Sequence, residues 1–326
     1  MARRLTEDAK WIEAAAGRPI TIEAIAVRNG QGRQTPAVLV DAEALACLSE
    51  LDAVVELIGG LEPAHTYIKT ALEGGREVIT ANKQVIAKYG PSLAQIGPLR
   101  FEASVASAIP VVEMLAETLR ADRISALTGV LNGTTNFMLD LMTSGAGYAD
   151  ALAQAQRLAM AEADPSADVD GHDAAAKLAI LSMLAFRRRV DPDRTERTGI
   201  RGVAAGQLTR AETSGMVIKL IAAARRINDD VIECDVRPRM VAGDSFLAQL
   251  KGGRNGIAVD AQYAGSLTLT GAGAGPDAAA SAVVADLIRS ARGAPASAGE
   301  LLAQLAAQDP AQLQPLTKTQ PFAAAE

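Results

Sequence analysis

Residues 52–83, DAVVELIGGLEPAHTYIKTALEGGREVITANK, decide the fold. Two short runs rich in Val and Ile, 52–58 and 77–80, have the length of strands, and the longer run between them, 63–73, has the apolar spacing of a helix. Glycines stand after the first strand and after the helix, where the chain has to turn. A strand, a helix and a second strand in this order predict two parallel strands joined by a crossover helix.

The same alternation extends over roughly the first 130 residues. Further strands are predicted at 20–27, 99–105 and 123–130, and further helices at 6–16, 41–50, 83–96 and 110–120. The expected fold class is therefore α/β, with a Rossmann-type parallel sheet. Such a sheet normally opens with a strand whose turn into the first helix carries phosphate-binding glycines. This chain opens with a helix, for which Thr6 is the expected N-cap, so we expect the first strand to be missing.

The second part of the chain has a different pattern. Apolar residues recur at helical spacing in YADALAQAQRLAMAEA and DAAAKLAILSMLAF, strand-like runs occupy 229–270, and a last amphipathic helix is predicted at about 277–292. We predict a dinucleotide-binding domain at 1–125, completed by 276–293. A second, mainly helical α+β domain at 126–275 would bind the substrate, and 294–326 would form a C-terminal tail.

The composition argues against several classes of protein. Cys47 and Cys234 lie far apart, so no disulfide framework is expected, and with only two His a Cys/His zinc cluster is nearly excluded. Lys and Arg number 32 against 38 Asp and Glu, and the resulting formal charge of −6 makes nucleic acid an unexpected partner. No apolar run approaches the roughly 18 residues of a membrane span, and no secretory signal pattern is present. We expect a cytoplasmic protein without a membrane partner.

The segment AEADPSADVDGHDAAAKL (161–178) is the richest in candidate chemistry. It holds Glu162, Asp164, Asp168, Asp170, Asp173 and Lys177. An EF-hand calcium loop does not fit, because its bidentate glutamate would have to stand where Lys177 stands. Asp173 and Lys177 are four residues apart on one predicted helix face, so both can contact one small ligand. A solvated surface ion pair is the alternative, but Lys177 leads into the apolar run LAILSMLAF, and a lysine at the edge of a core can act as acid or base.

Three turns at predicted strand ends are candidate ligand sites, because open α/β sheets bind ligands at the carboxyl ends of their strands. They contain Gly59 and Gly60 after VVELI, Thr80 and Lys83 in TANK, and Asn132, Gly133 and Thr134 in LNGTTN (131–136). Ordinary turn closure and helix capping are the alternative for each of them.

Two further features suggest a phosphate-bearing cofactor. GAGAGP (271–276), which contains Gly273, follows a strand and opens a helix as an anion-binding turn does, although Pro276 breaks the dinucleotide spacing. Arg28, with Arg33 behind it, lies just beyond strand 20–27, where an arginine would accept the 2′-phosphate of NADP. A surface arginine in a polar loop is the alternative.

Six blocks of the chain together resemble the homoserine dehydrogenase family in order and spacing, over roughly residues 5–293. They are VVELIGG (54–60), VITANK (78–83), FEASVASAIP (101–110), GVLNGTTNFML (129–139), AEADPSADVDGHDAAAKLAIL (161–181) and GAGAGPDAAASAVVADL (271–287). The resemblance implies NAD(P)-dependent interconversion of L-homoserine and L-aspartate 4-semialdehyde in threonine, methionine and isoleucine biosynthesis. It also implies a homodimer, with the 126–275 domain mediating dimerisation.

The resemblance implies roles for individual residues as well. Lys177 would carry the proton, and Lys83, near the substrate hydroxyl, would also take part in proton transfer. Glu162 and the catalytic Asp173 would bind the substrate, with Asn132, Gly133 and Thr134 beside them. The residues near NADP or NAD would be Arg28, Gly59, Gly60, Thr80, Lys83 and Gly273. Glu102 and Val105 match a site for a monovalent cation such as Na+, bound largely by backbone carbonyls.

The chain also departs from the family pattern. The opening strand and its glycine-rich turn are expected to be missing, and the residues after 293 are too few for a ligand-sensing ACT domain. Ser107 and Ala108 replace two glycines, and Ala159-Met160 replaces a Gly-Tyr pair at the wall of the substrate pocket. The alternative to an active enzyme is therefore a catalytically impaired relative that acts as a non-catalytic ligand-binding subunit.

Overall fold

A computed structural model describes residues 1–28 and 37–316 of the chain. The chain divides into two compact units. One comprises the described residues of Met1–Glu117 and Gly275–Gln308, and the other comprises Thr118–Ala274 and the described residues that follow Gln308. Among the described residues, no helix is long and apolar enough to cross a membrane.

Helices and strands alternate in the first third of the chain, and strands dominate from residue 216 to residue 272. The helices are α1 (Ala2–Glu7), α2 (Ala9–Ala16), α3 (Ala42–Cys47), α4 (Ala64–Glu73), α5 (Lys83–Ala94), α6 (Val111–Glu113), α7 (Gly133–Thr143), α8 (Tyr148–Arg157), α9 (Ser166–Val169), α10 (His172–Phe186), α11 (Ala205–Thr213), α12 (Pro276–Ala291) and α13 (Ser297–Leu305). The strands are β1 (Ala24–Ile25), β2 (Val38–Leu39), β3 (Ala53–Glu56), β4 (Glu77–Thr80), β5 (Leu99–Arg100), β6 (Ile124–Val130), β7 (Glu196–Arg197), β8 (Met216–Arg226), β9 (Val231–Ala242), β10 (Arg254–Ala261), β11 (Gly265–Ala272) and β12 (Gln312–Gln314).

The first unit contains the parallel strands that the sequence predicts. β3, β4 and β5 form a three-stranded parallel sheet in which Val78 lies opposite both Val54 and Leu99. All three side chains are buried, as expected when helices cover a parallel sheet. β1 and β2 form a separate parallel pair. The predicted α/β class with a Rossmann-like parallel sheet is confirmed.

Two helices from late in the sequence complete the first unit. α12 packs against α2, in an apolar cluster that includes Ile12, Ile79 and Val283. α13 packs against α5 and β5, and Gly299 lies so close to the Leu99 carbonyl that a Cβ there would overlap it.

The second unit is built on a seven-stranded mixed sheet. Its order is β11-β10-β6-β8-β9-β12, with β7 paired to β9 outside this path. The pairs are antiparallel except for β7–β9 and β12–β9. α7 and α10 contact the central strand β8, and only Leu131 and Asn132 separate β6 from α7. The end of a central strand therefore leads directly into the helix that carries the LNGTTN residues.

Several predicted elements are shorter or divided in the structure. The predicted helix 6–16 is two helices that meet at Asp8. Thr6 is not an N-cap, because the helix already begins at Ala2 and the Thr6 hydroxyl donates to the Ala2 carbonyl one turn earlier (3.2 Å). The predicted helix 110–120 is α6 followed by a π-helical segment, Met114–Thr118.

Two predicted strands also differ from the structure. The strand expected at 20–27 is reduced to β1, and the one expected at 99–105 stops at Arg100. The second stops because Glu102–Ser104 form a 3₁₀ turn, which brings the Glu102 carboxylate to the backbone amides of Val112 and Glu113.

The described part of the predicted tail is ordered into elements. Residues 294–308 belong to the first unit, because α13 has apolar residues at helical spacing and buries them. β12 adds a strand to the edge of the second unit's sheet beside β9. The term tail is therefore wrong for residues 294–316.

Candidate active site

Asp173 and Lys177 form a buried ion pair on α10. Gly171 precedes the helix in the left-handed conformation (φ +83°), so Asp173 lies in the first helical turn and Lys177 one turn later. The Lys177 Nζ lies 2.8 Å from Asp173 Oδ2, and each residue is only 7% exposed. The pair is therefore not the solvated surface ion pair that was the alternative.

A backbone carbonyl and an amide fix the position of this pair. The Lys177 Nζ also donates to the Leu131 carbonyl at 2.8 Å. Asn132 caps α7: its Oδ1 accepts from the Thr135 amide (2.8 Å), which leaves its Nδ2 facing two carboxylates. Nδ2 donates to Asp173 Oδ2 at 2.9 Å and to Asp168 Oδ1 at 2.7 Å. The structure thus brings Asn132, Asp173 and Lys177 together, as the sequence predicts.

Asp168 is a member of this cluster to which sequence reasoning assigned no role in substrate binding. It lies on α9, and burial, together with the nearby Asp173 carboxylate, raises its pKa above the usual range. The sequence places Asp168 in the acidic run near Lys177, but the path of the chain between Pro165 and Gly171 could not be inferred from it. The acidic run itself was the available signal.

Charge and hydrogen-bonding capacity define what this cluster can bind. Two carboxylates face one ammonium, so the ionised cluster carries a net negative charge that suits a cationic ligand. Lys177 has three N–H donors, and within the described part of the chain two of them have acceptors, Leu131 O and Asp173 Oδ2. The third donor is available to a ligand oxygen.

Of the other predicted substrate residues, Thr134 adjoins the cluster, because its side chain is also a hydrogen-bond partner of Asp168. The Thr134 hydroxyl donates to the Met160 carbonyl (2.7 Å), and Gly133 lies against Gly253, whose carbonyl would be 2.7 Å from a Cβ at Gly133. Glu162 is exposed, and its backbone carbonyl accepts from Gln156 Nε2 (3.1 Å). The structure does not bring the Glu162 carboxylate to the Asp173–Lys177 pair.

In the first unit, a closed ring of hydrogen bonds links the turns that follow β3 and β4. The buried Glu56 carboxylate accepts from the Ile58 amide (2.6 Å), the Gly59 amide (3.1 Å) and the Thr80 hydroxyl (2.5 Å). The Thr80 hydroxyl in turn accepts from the Asn82 amide (2.9 Å). We call this set of contacts the Glu56 ring.

Asn82 closes the Glu56 ring. Its Nδ2 donates to the Gly60 carbonyl (2.7 Å), and its Oδ1 caps α5 by accepting from the Val85 amide (3.1 Å). The ring therefore joins the predicted cofactor residues Gly59, Gly60 and Thr80 at the carboxyl edge of the parallel sheet. Sequence reasoning missed Glu56, although a carboxylate inside the apolar run VVELI was the available signal.

The turn after β3 is open in a way that suits a flat ligand. Gly59 and Gly60 have φ of +78° and +76°, and apart from the chain neighbours of Gly59, no described residue has an atom within 4 Å of where its Cβ would be. Leu57 and Ile58, which precede them, are 48% and 52% exposed. Exposed apolar side chains beside an open glycine turn fit the rings and ribose of a dinucleotide.

Lys83 and Arg28 lie where the sequence places them. Lys83 is the first residue of α5, directly after the ring residue Asn82, and is partly buried. Arg28 is exposed just beyond β1. Arg33 lies outside the described residues, and the roles of Lys83 and Arg28 stay predictions.

Glu102 lies in an acidic cluster around one guanidinium. Its carboxylate accepts from the amides of Val112 and Glu113, and the Arg289 guanidinium is 3.8 Å away and also bonds to Asp286 (2.6 Å). Burial raises the pKa of Glu102 to about 7, and the neighbouring Asp286 contributes in the same direction.

A cation at the predicted site would have to use backbone oxygens. Both oxygens of the Glu102 carboxylate already accept amides. The Glu102 carbonyl also accepts from the Val105 amide, at 3.4 Å. Carbonyl ligation at Glu102 and Val105 stays a prediction.

Comparison with known proteins identifies the family. A family model described as "Homoserine dehydrogenase" matches residues 110–288, and one described as "Homoserine dehydrogenase, NAD binding domain" matches residues 1–97. The homoserine dehydrogenase of Corynebacterium glutamicum is 40% identical over 304 residues, which cover 89% of this chain and 68% of that protein. The chain belongs to the homoserine dehydrogenase family.

Solved structures of homoserine dehydrogenases have the same fold. The crystal structure from Thiobacillus denitrificans has a TM-score of 0.89 and 37% identity, covering 96% of this chain and 76% of that one. A hyperthermophilic archaeal homoserine dehydrogenase in complex with NADPH has a TM-score of 0.69 and 27% identity, covering 88% and 83%. The predicted family, oxidoreductase class and NAD(P) cofactor are thereby confirmed. No comparison supports the alternative of a non-catalytic subunit.

Two residues that replace glycines of the homoserine dehydrogenase pattern keep a backbone typical of glycine. Ser107 has φ +52° and Ala159 has φ +54°. Residues with a side chain are strained in this left-handed region. The backbone is therefore strained at both positions, at some expense in stability.

Proposed function

We propose that this chain interconverts L-homoserine and L-aspartate 4-semialdehyde with Lys177 as the proton carrier. The observation that carries the proposal is the buried ammonium of Lys177, which is held by Leu131 O and Asp173 Oδ2 and has its third donor direction available. Oxidising a primary alcohol to an aldehyde removes a proton from oxygen and a hydride from carbon. Bound NAD(P) supplies the hydride acceptor. The chain must supply the proton acceptor, and Lys177 is placed to do so in its neutral form.

The carboxylates account for the amino group of the substrate. Asp173 pairs with the Lys177 ammonium, whereas Asp168 accepts from the neutral Asn132 amide at 2.7 Å and is also a hydrogen-bond partner of the Thr134 side chain. We propose that Asp168 and Asp173 attract the homoserine ammonium and that Asn132 keeps their carboxylates apart. Burial disfavours the ionised form of Asp168 unless a cation lies beside it. The substrate ammonium would therefore stabilise this carboxylate more than it would an exposed one. Glu162 is proposed to assist from the exposed side of the segment.

The Glu56 ring is the proposed support for the cofactor. It fixes the backbone amides and the glycines after β3, while the exposed Leu57 and Ile58 offer apolar contact. Thr80 and Lys83 lie at the next strand end of the same sheet. Arg28 would add preference for the 2′-phosphate of NADP. Gly273 is proposed to lie near the cofactor as well.

Three wider properties complete the proposal. We propose a cytoplasmic homodimer with a monovalent cation at the backbone carbonyls of Glu102 and Val105. The low cysteine content supports a reducing compartment. Light scattering would test the dimer, and a comparison of activity in sodium and in a bulky organic cation would test the metal site.

The direct test of the proposed function is NADP reduction that depends on homoserine, followed by absorbance of the reduced nicotinamide. The wild-type chain is expected to turn over, and Lys177→Met is expected to lose at least about a thousandfold in kcat. The matched control is Lys10→Met, which removes an exposed lysine and should leave kcat unchanged. Activity of Lys177→Met within a few fold of wild type would rule out the proton role.

A further inference from the structure

Asn255 shares one carbonyl with Lys177. It lies at the start of β10, is fully buried, and its Nδ2 donates to the Leu131 carbonyl at 3.0 Å. The Lys177 Nζ donates to the same oxygen at 2.8 Å. A carbonyl oxygen has two lone pairs, so these two donors complete its hydrogen bonding.

The orientation of the Asn255 amide is fixed by this contact. If the amide were flipped, its Oδ1 would face the Leu131 carbonyl and two acceptors would be in contact, so Nδ2 must face Leu131. Oδ1 then has no hydrogen-bond partner anywhere in residues 1–28 and 37–316. A buried acceptor without a partner costs stability. The fold therefore retains the Leu131 contact at the expense of the other end of the amide.

Gly273 leaves the space that Asn255 occupies. A Cβ at Gly273 would overlap the Asn255 amide. Any side chain there would displace the Asn255 amide from its place. The glycine after β11 is thus explained by a contact within the second unit, next to the proposed proton carrier.

We propose that Asn255 is a positioning residue for proton transfer by Lys177, with Gly273 as the residue that makes room for it. The inference rests on the proposed function of Lys177. Leu131 directly precedes Asn132, so a carbonyl held by Asn255 keeps both the ammonium and the Asn132 amide aligned. The charged groups that face Lys177 within the second unit are Asp173, on its own helix, and Asp168, on α9.

The neutral Nδ2 donor of Asn255 also limits how strongly the Leu131 carbonyl holds the Lys177 ammonium. With Asn255 present, the Leu131 oxygen is shared between two donors. Without it, that oxygen is left to Lys177 alone, and the bond that keeps the amine protonated becomes stronger. Proton uptake from homoserine should then require a higher pH, whereas the carboxylates that attract the substrate ammonium are unchanged.

The test compares Asn255→Leu and Gly273→Ala with the matched control Ala272→Ser, an exposed neighbour on the same edge of the sheet. The readout is kcat and KM for homoserine oxidation as a function of pH. We expect Asn255→Leu to lower kcat about tenfold near pH 8 and to move the midpoint of the pH profile up by about half a unit to one unit. KM for homoserine should change less than about threefold. Gly273→Ala should shift the midpoint in the same direction, and Ala272→Ser should match wild type.

The outcomes separate this inference from the proposed function. A wild-type pH midpoint and kcat in Asn255→Leu overturn the inference, whereas full activity of Lys177→Met overturns the proposed function itself. If Asn255→Leu does not fold, Gly273→Ala carries the test. A Gly273→Ala variant with raised KM for NADP and an unshifted pH midpoint contradicts the positioning role, because it assigns Gly273 to the cofactor alone.

Discussion

Replacing Glu56 tests whether the Glu56 ring organises the cofactor edge of the parallel sheet. Glu56→Ala removes the acceptor for two backbone amides and for the Thr80 hydroxyl. Hydrogen bonds to a charged group each contribute about 1.5–3 kcal/mol, but water can replace the acceptor at the two partly exposed amides. We therefore expect a loss of about 3 kcal/mol in the free energy of unfolding. The Gly59–Gly60 turn should also loosen.

Glu56→Gln is the graded comparison. Its side-chain carbonyl can still accept from the Ile58 and Gly59 amides, and only the Thr80 hydroxyl loses its acceptor. The loss should be about 1 kcal/mol. Glu73→Gln, at an exposed ion pair with Lys69, should change stability by less than about 0.5 kcal/mol.

Urea unfolding and steady-state kinetics measure the two effects of these substitutions. KM for NADP should rise about tenfold in Glu56→Ala and less in Glu56→Gln, with KM for homoserine unchanged, because the second unit is untouched. If Glu56→Ala keeps the wild-type KM for NADP, or loses no more stability than Glu73→Gln, the ring does not support the cofactor.

Three further predictions follow from other sites. Ala159→Gly should raise the unfolding free energy by about 1 kcal/mol in urea titrations by relieving the left-handed backbone, and an equal or lower value would contradict strain there. Asp168→Asn should raise KM for homoserine about tenfold with a smaller change in kcat, and an unchanged KM would remove Asp168 from the substrate site. Because burial raises the pKa of Glu102 to about 7, the folded state holds a proton that the unfolded state loses above about pH 4.5. Protonated Glu102 should therefore contribute up to about 3 kcal/mol to the free energy of unfolding at low pH, and this contribution should be lost as the pH rises to 7. Urea titrations of Glu102→Gln should not show this loss.

The regular part of the fold follows from local pattern. The strand Glu77–Thr80 has the predicted bounds, because glycines precede this short run of β-branched residues and a helix start follows it, which leaves little choice of where the strand begins and ends. Asp173 and Lys177 meet as predicted, because helical periodicity alone places residues four apart on one face. Their burial also follows from the apolar run after Lys177.

Features that depend on tertiary contacts were not accessible from sequence. Thr6 has the residue type of an N-cap, but nothing in the sequence shows that the preceding residues continue the helix to Ala2. The run 99–105 looks like a strand, yet it turns because the Glu102 carboxylate bonds to amides ten and eleven residues later. Asp168 and Asn255 reach the Lys177 cluster from α9 and β10, and only the folded chain brings those elements together.

The most direct measurement of the proton role uses Lys177→Ala and a series of small primary amines of increasing basicity. The rate of homoserine oxidation should be negligible without amine, should return when amine is added, and should rise with amine basicity. Near wild-type activity without amine, or a restored rate that is the same for every amine, would contradict the claim that Lys177 accepts the proton.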